Sequence, residues 1–166
     1  MLYLKLLGCA AVALSGLAFG VMKSRSLYAR RDSLKRVLVF LSSLATNIRY
    51  SSDEISSAVS AAANSSDAAY LCVEANRDTP FYDRWEEAVK SIPKVRALNN
   101  SDKELLLGFG EKLGKTDLEG QLSHIELYRA LFQKQIKEAE DDAQKKSRLY
   151  RTLGIFGGVS AAILIF

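Results

Sequence analysis

Charge is confined to the middle of this chain. No charged residue occurs from Leu6 to Met22 and none from Thr152 to Phe166, so almost every acid and base lies between Lys23 and Arg151. A chain divided in this way cannot be one uniform globule: the middle must close a core in water, while each end carries an apolar segment of helix length. The cations sharpen the division. Lys23, Arg25, Arg30, Arg31, Lys35 and Arg36 follow the first apolar run, and Lys145, Lys146, Arg148 and Arg151 precede the second. Cations beside apolar segments are what the positive-inside rule produces, and they attract anionic headgroups. The expected organisation is therefore an N-terminal transmembrane anchor over 1–23, a cytoplasmic helical bundle over 24–150, and a transmembrane or membrane-inserted segment over 151–166. The expected location is a cell membrane, with the bulk of the chain on the cytoplasmic side.

The first run is expected to be an anchor rather than a cleaved signal, because Lys5 alone precedes it whereas a cluster of cations follows. Ala18-Phe19-Gly20 keeps a cleavage site open as an alternative. Seventeen residues from Leu6 to Met22 make a helix of about 26 Å, against a hydrocarbon core of ~30 Å. The C-terminal run is shorter and needs Leu149 and Tyr150 to join it, with Arg151 snorkelling. Gly16 with Gly20, and Gly154 with Gly158 and Ala162, have the spacing that lets membrane helices approach closely. They admit packing between the ends or self-association into a homo-oligomer; the plainer alternative is that such residues are common in membrane helices.

Nucleic acid is not the expected partner, since the net charge of +4 sits beside the apolar runs rather than on a face bearing exposed aromatics. Cys9 and Cys72 are too far apart, and too few, for a disulfide framework or a metal site.

The middle reads as helices throughout, about six of them, and the fold class is all-α. Leu27, Leu34, Val37, Leu38, Leu41, Leu44, Ala45 and Ile48 recur at steps of three and four, one buried stripe on a long helix. Ser51 and Glu54 predict a capping box for a second helix carrying Ile55, Ala58, Val59 and Ala62. The cluster 64–67 predicts a loop and a new cap before Ala68, Leu71, Cys72 and Ala75. Thr79-Pro80 opens a helix with Phe81, Trp85, Ala88, Val89 and Ile92 inward, ended by Pro93. Ser101 and Glu104 predict the next capping box, before Leu105, Leu106, Phe109 and Leu113, with Gly114 as the stop. Thr116 and Glu119 cap the last helix, whose stripe is Leu118, Leu122, Ile125, Leu131 or Phe132, Ile136 and Ala139.

Catalytic chemistry is not expected. His124 is the single histidine, with no partner set for a metal or a nucleophile relay, so a structural or interface role is expected of it. Gly108-Phe109-Gly110 and Gly114 follow no strand and lack the ending of a phosphate loop. No cofactor is implied. Glu138, Glu140, Asp141 and Asp142 form an acidic run on the last helix, read as a solvated face with Asp141 to Lys145 pairing, or as a docking patch for a basic partner.

Two motifs carry a resemblance. Gly110 to Gln121, reading GEKLGKTDLEGQ, resembles the LG-x-[ST]-D-x-x-x-Q segment of the stage III sporulation protein AB family, and Lys146 to Gly158 resembles that family's basic LYR-x-LG-x-x-GG entry to its C-terminal tail. Length, both apolar ends and Trp85 agree with it. At Tyr50 to Ile55 the chain departs from the family's usual Gly/Thr-Pro-Leu turn. The resemblance implies a soluble unit similar to the cytoplasmic domain of the type II secretion platform protein F. It further implies a non-enzymatic membrane platform in the mother cell–forespore channel needed for endospore formation, with other channel proteins and a cytoplasmic secretion-type ATPase as partners. The competing expectation is a membrane-anchored regulator or sensor whose bundle binds a ligand.

Overall fold

The computed structural model describes residues 28–51, 54–73 and 78–165, and only the backbone of 150, 151, 153–155 and 157–165. Among these there are five α-helices and no strand. Helix α1 is described over 28–50. It is followed by α2 (Ile55–Ser65), a 3-10 turn (Ala69–Leu71), α3 (Phe81–Lys90), a second 3-10 turn (Lys94–Arg96), α4 (Asn100–Lys112) and α5 (Leu118–Ile165). The chain divides into two compact units, one of Arg30–Lys137 and one of Met1–Ala29 with Glu138–Phe166.

The first of these units holds the core. Leu34, Val37, Leu41 and Leu44 of α1 are fully buried, as the spacing predicts, and Phe40 joins them. From α2 come Ala58, Val59, Ala62 and Ala63, small residues that let neighbouring backbones come close. Trp85 and Val89 of α3 and Leu106 and Phe109 of α4 complete the apolar centre with Ile125 and Phe132 of α5. Helix α3 packs on α4, and the first 3-10 turn packs on both α2 and α3. In the other unit, Ala139, Ala143 and Ser147 are buried at four-residue steps along one face of α5.

Punctuation differs from the sequence reading at three places. The helix expected over 68–75 is a single 3-10 turn at Ala69–Leu71, because the residues expected to open it close α2 instead. Asp67 takes a left-handed conformation (φ 53°) and the Ala68 N–H donates to the Ala63 carbonyl, a Schellman ending. Glu54 rather than Ser51 holds the N-cap of α2, and its side chain makes no capping bond. The capping box of α4 is Asn99 with Asp102, two residues before the expected Ser101 and Glu104. Gly114 is the stop foreseen, with φ 80°.

The expected membrane segments need correction. No helix among the described residues is long and apolar enough to cross a membrane. The reason is length against charge. Helix α5 runs unbroken through the 150/151 boundary, but its charge-free stretch 152–165 rises only about 21 Å at ~1.5 Å per residue, and the turns before it carry Lys145, Lys146, Arg148 and Arg151. The N-terminal segment 1–23 lies outside the described residues. The flanking membrane helices of the expected fold class are thus withdrawn, and with them the membrane location and the membrane-platform role that rested on two spans.

Candidate functional site

The GEKLGKTDLEGQ stretch is the corner between α4 and α5, and its motif residues build that corner. Gly114 supplies the positive φ that ends α4, and a Cβ there would stand 3.3 Å from the Ile55 side chain. Gln121, one turn into α5 and buried, closes the loop from the other side. Its Oε1 accepts from the Gly114 N–H at 3.1 Å, and its Nε2 donates to the Thr116 carbonyl at 3.3 Å and to Thr116 Oγ1 at 3.1 Å. Asp117 caps α5, its Oδ1 accepting from the Gly120 N–H at 3.0 Å. Gly120 must be small, since a Cβ there would stand 2.8 Å from that carboxylate oxygen. The cap is Asp117 rather than the expected Thr116, whose hydroxyl serves Gln121 instead. The polar side chains of Thr116, Asp117 and Gln121 are spent inside the chain.

A second close contact lies beneath the corner. The Trp85 indole rests on Gly110, where a Cβ would collide with the ring, and its Nε1 donates to the Leu106 carbonyl at 2.8 Å. Around it the rings form a series. Phe40 and Phe81 stack on Trp85 with centroids 6.1 and 6.2 Å away, and Phe109 meets its edge at 5.9 Å. His124 stacks on Phe109 at 5.4 Å and its Nε2 lies 2.9 Å from the Phe109 carbonyl. Gly108 and Gly110 are therefore packing positions on α4 facing Tyr128 and Trp85. Burial, and then the nearby Glu111 carboxylate, hold the Tyr128 hydroxyl above its ordinary pKa.

Three elements are tied by one buried ion pair. Arg30 of α1 meets Asp102 of α4 through two 2.8 Å bonds, from Nε to Oδ2 and from Nη2 to Oδ1, and Nη2 also donates to Gln135 Oε1 of α5 at 2.8 Å. Asp102 Oδ2 further accepts from the Asn99 N–H. Two clefts, of about 370 and 430 Å³, share Thr79 and Arg84. Arg84 is committed to the fold there, with Nε donating to the Thr79 carbonyl and Nη2 to Ser56 Oγ, each at 3.1 Å.

Of the sequence-predicted site residues, Glu138, Asp141 and Asp142 are exposed on one side of α5, whereas Glu140 is half-buried. Asp142 pairs with Lys146 at 2.7 Å. Gly154 and Gly158 lie in the helical backbone of α5, their surroundings outside the described side chains, and Gly16 and Gly20 lie outside the described residues. Cys72 is a free thiol, half-buried. No group of His, Cys, Asp and Glu that could hold a metal ion occurs among the described residues. Sequence reasoning missed the Arg30–Asp102–Gln135 tie and the donor cluster at Tyr70. No local signal marks either, because each is assembled from residues far apart in the chain.

Comparison with known proteins agrees with the motif. The family description "Stage III sporulation protein AB" matches residues 5–166. A curated relative, stage III sporulation protein AB of Bacillus subtilis (strain 168), is 30% identical over 81 residues, covering 49% of this chain and 47% of the relative. The aligned part of the chain thus spans about half the length of that relative. No solved structure matches. The chain belongs to the stage III sporulation protein AB family.

Proposed function

We propose that this chain is a non-catalytic component of endospore formation that acts by docking other proteins on its helical surface. Members of its family are non-catalytic, and this chain is not an enzyme. The observation that carries the reading is the match to a sporulation family along 5–166. Supporting it, the motif residues that mark the family are consumed in the α4–α5 corner, so they serve to hold a shape rather than to perform a reaction. A protein whose motif residues go to shape works through the surface that the shape presents. The proposed partner is a secretion-type ATPase, as the family resemblance implies.

The test is genetic and then biochemical. Deleting the gene in its endospore-forming host is expected to lower the yield of heat-resistant spores by orders of magnitude, with cells arrested at stage III. A normal spore yield would refute the reading. The purified chain is then expected to retain the ATPase on an affinity column. A charge-reversed variant of Glu138, Glu140, Asp141 and Asp142 that binds equally well would remove those residues from the interface.

A further inference from the structure

The edge of the Arg30–Lys137 unit at the two 3-10 turns gathers more donors than acceptors. The Tyr70 hydroxyl is buried and has no hydrogen-bond partner. The Arg96 guanidinium carbon lies 4.9 Å from the Tyr70 ring centroid, stacked on the ring. Arg36, from α1, pairs with Asp67 at 2.9 Å, but the Asp67 side chain is 74% exposed. Exposed surface pairs of this kind contribute only ~0–1 kcal/mol, so an incoming carboxylate can take the place of Asp67 at little cost. Lys94 shares a turn with Arg96, and between them Val95 projects into solvent, 78% exposed.

A buried hydroxyl lacking a partner costs free energy that a ligand oxygen would recover. Burial holds the Tyr70 phenol above its ordinary pKa, with Arg96 and Arg36 acting in the opposite sense, so at neutral pH the group is a donor. The carboxylate set against these donors is Asp67, exposed and paired with Arg36. Guanidinium groups match carboxylates in a planar, two-bond geometry.

We infer that Arg36, Tyr70 and Arg96 form a carboxylate-binding notch that docks an acidic segment of a protein partner, with Val95 as its apolar contact. The carboxylate meets the two guanidinium groups first, and the hydroxyl adds a third donor once Arg96 shifts on its ring. An acidic protein segment fits better than nucleic acid. The cations are few and lie around one apolar side chain, whereas a phosphate backbone is gripped by a longer basic track. The inference deepens the docking reading and rests on it. The two fail separately, because an empty notch leaves the requirement for sporulation untouched.

The test follows the tyrosine ring and arginine Nε–Hε resonances of the full chain while a blocked peptide of alternating Glu and Val is added. Saturable shifts at Arg36, Tyr70 and Arg96 are expected, weakening with salt. Arg96→Ala should weaken binding about tenfold and Tyr70→Phe several-fold, on the scale of hydrogen bonds to charged groups. Asp67→Asn, which suits the left-handed backbone there, should tighten it several-fold by removing the internal competitor's charge. Unchanged Trp85 fluorescence would show that each variant is folded. Because Arg96 and Asp67 are surface residues, at least these two report even if Arg36→Ala fails to fold. The absence of saturable shifts would overturn the inference, as would equal binding by Arg96→Ala. Equal or tighter binding of inorganic phosphate or of a short RNA would overturn the acidic-protein occupant.

Discussion

The ground beneath the α4–α5 corner and the edge at Tyr70 are both built from aromatic and charged residues, yet they are finished differently. At the corner every polar atom discussed has a partner: the Trp85 indole N–H, the Gln121 amide and the Asp117 carboxylate each bond within the chain. At the edge the Tyr70 hydroxyl has none, and Val95 stands in solvent. A satisfied region is specified by the fold, and changing it should cost stability. A region with unspent donors is the one whose changes should cost binding and leave stability nearly alone.

Asp102→Ala should be the most damaging. It takes from the Arg30 guanidinium, whose side chain is 18% exposed, the carboxylate that meets it through two bonds, and it removes half of the α4 capping box. Breaking a buried pair from one side costs ~3–5 kcal/mol. A urea titration followed by the single Trp85 should show a midpoint shift of that order. Replacing both partners, as Arg30→Met with Asp102→Leu, should recover much of the loss, since no charge then stays buried and unpaired. Gly110→Ala comes next, at about 2–3 kcal/mol, the scale of overpacking. The added methyl would collide with the indole, and Phe40 and Phe81 stack on Trp85 and limit its retreat. A variant as stable as the wild type would mean that the contact is looser than its geometry states.

How much of this was legible in the sequence depended on whether a signal was local. The stripes of α1 and α5 were read correctly at Leu34, Val37, Leu41, Leu44, Ile125, Phe132 and Ala139, because helical spacing records burial directly. Gly114 was readable because few residues tolerate its φ. The caps were not. Asn99 and Ser101 are both good N-cap residues, and the choice between them is made by Arg30, which reaches from 72 positions away to fix Asp102. The cluster 64–67 carried a genuine capping signal, but that signal ends α2 rather than starting a helix. The apolar C-terminal run was over-read: its composition suits a membrane span, and its helix is nevertheless too short between charges to make one.

Gln121→Ala tests the corner at lower cost. It frees the Gly114 N–H and the Thr116 carbonyl and hydroxyl, near enough to the surface for water to replace some of the bonds, so a loss of about 1–2 kcal/mol is expected. The readout that separates shape from chemistry is spore yield. Raising the growth temperature should expose a sporulation defect in this variant, whereas one that is fully stable yet defective at all temperatures would place Gln121 in a binding role.

Tyr70→Phe should have the smallest effect on stability and is the sharpest test of the edge. Removing an unpartnered buried hydroxyl deletes no bond, so at pH 7 the midpoint should stay within about 0.5 kcal/mol of wild type or rise slightly. Its consequence belongs at high pH. The folded phenol is held above the ordinary value of 10.0, first by burial, so between that value and its own it keeps a proton the unfolded chain has lost. The unfolded state then binds fewer protons, and stability present below pH 10 drains away as pH rises toward the folded pKa. Tyr128, raised by burial and Glu111, adds a loss of the same sign. Urea midpoints from pH 9 to 11 should therefore fall less steeply in Tyr70→Phe than in the wild type, and parallel curves would mean that the hydroxyl is wetter than its burial states. If instead the variant loses stability at pH 7, the hydroxyl already has a partner, and the edge is as finished as the corner.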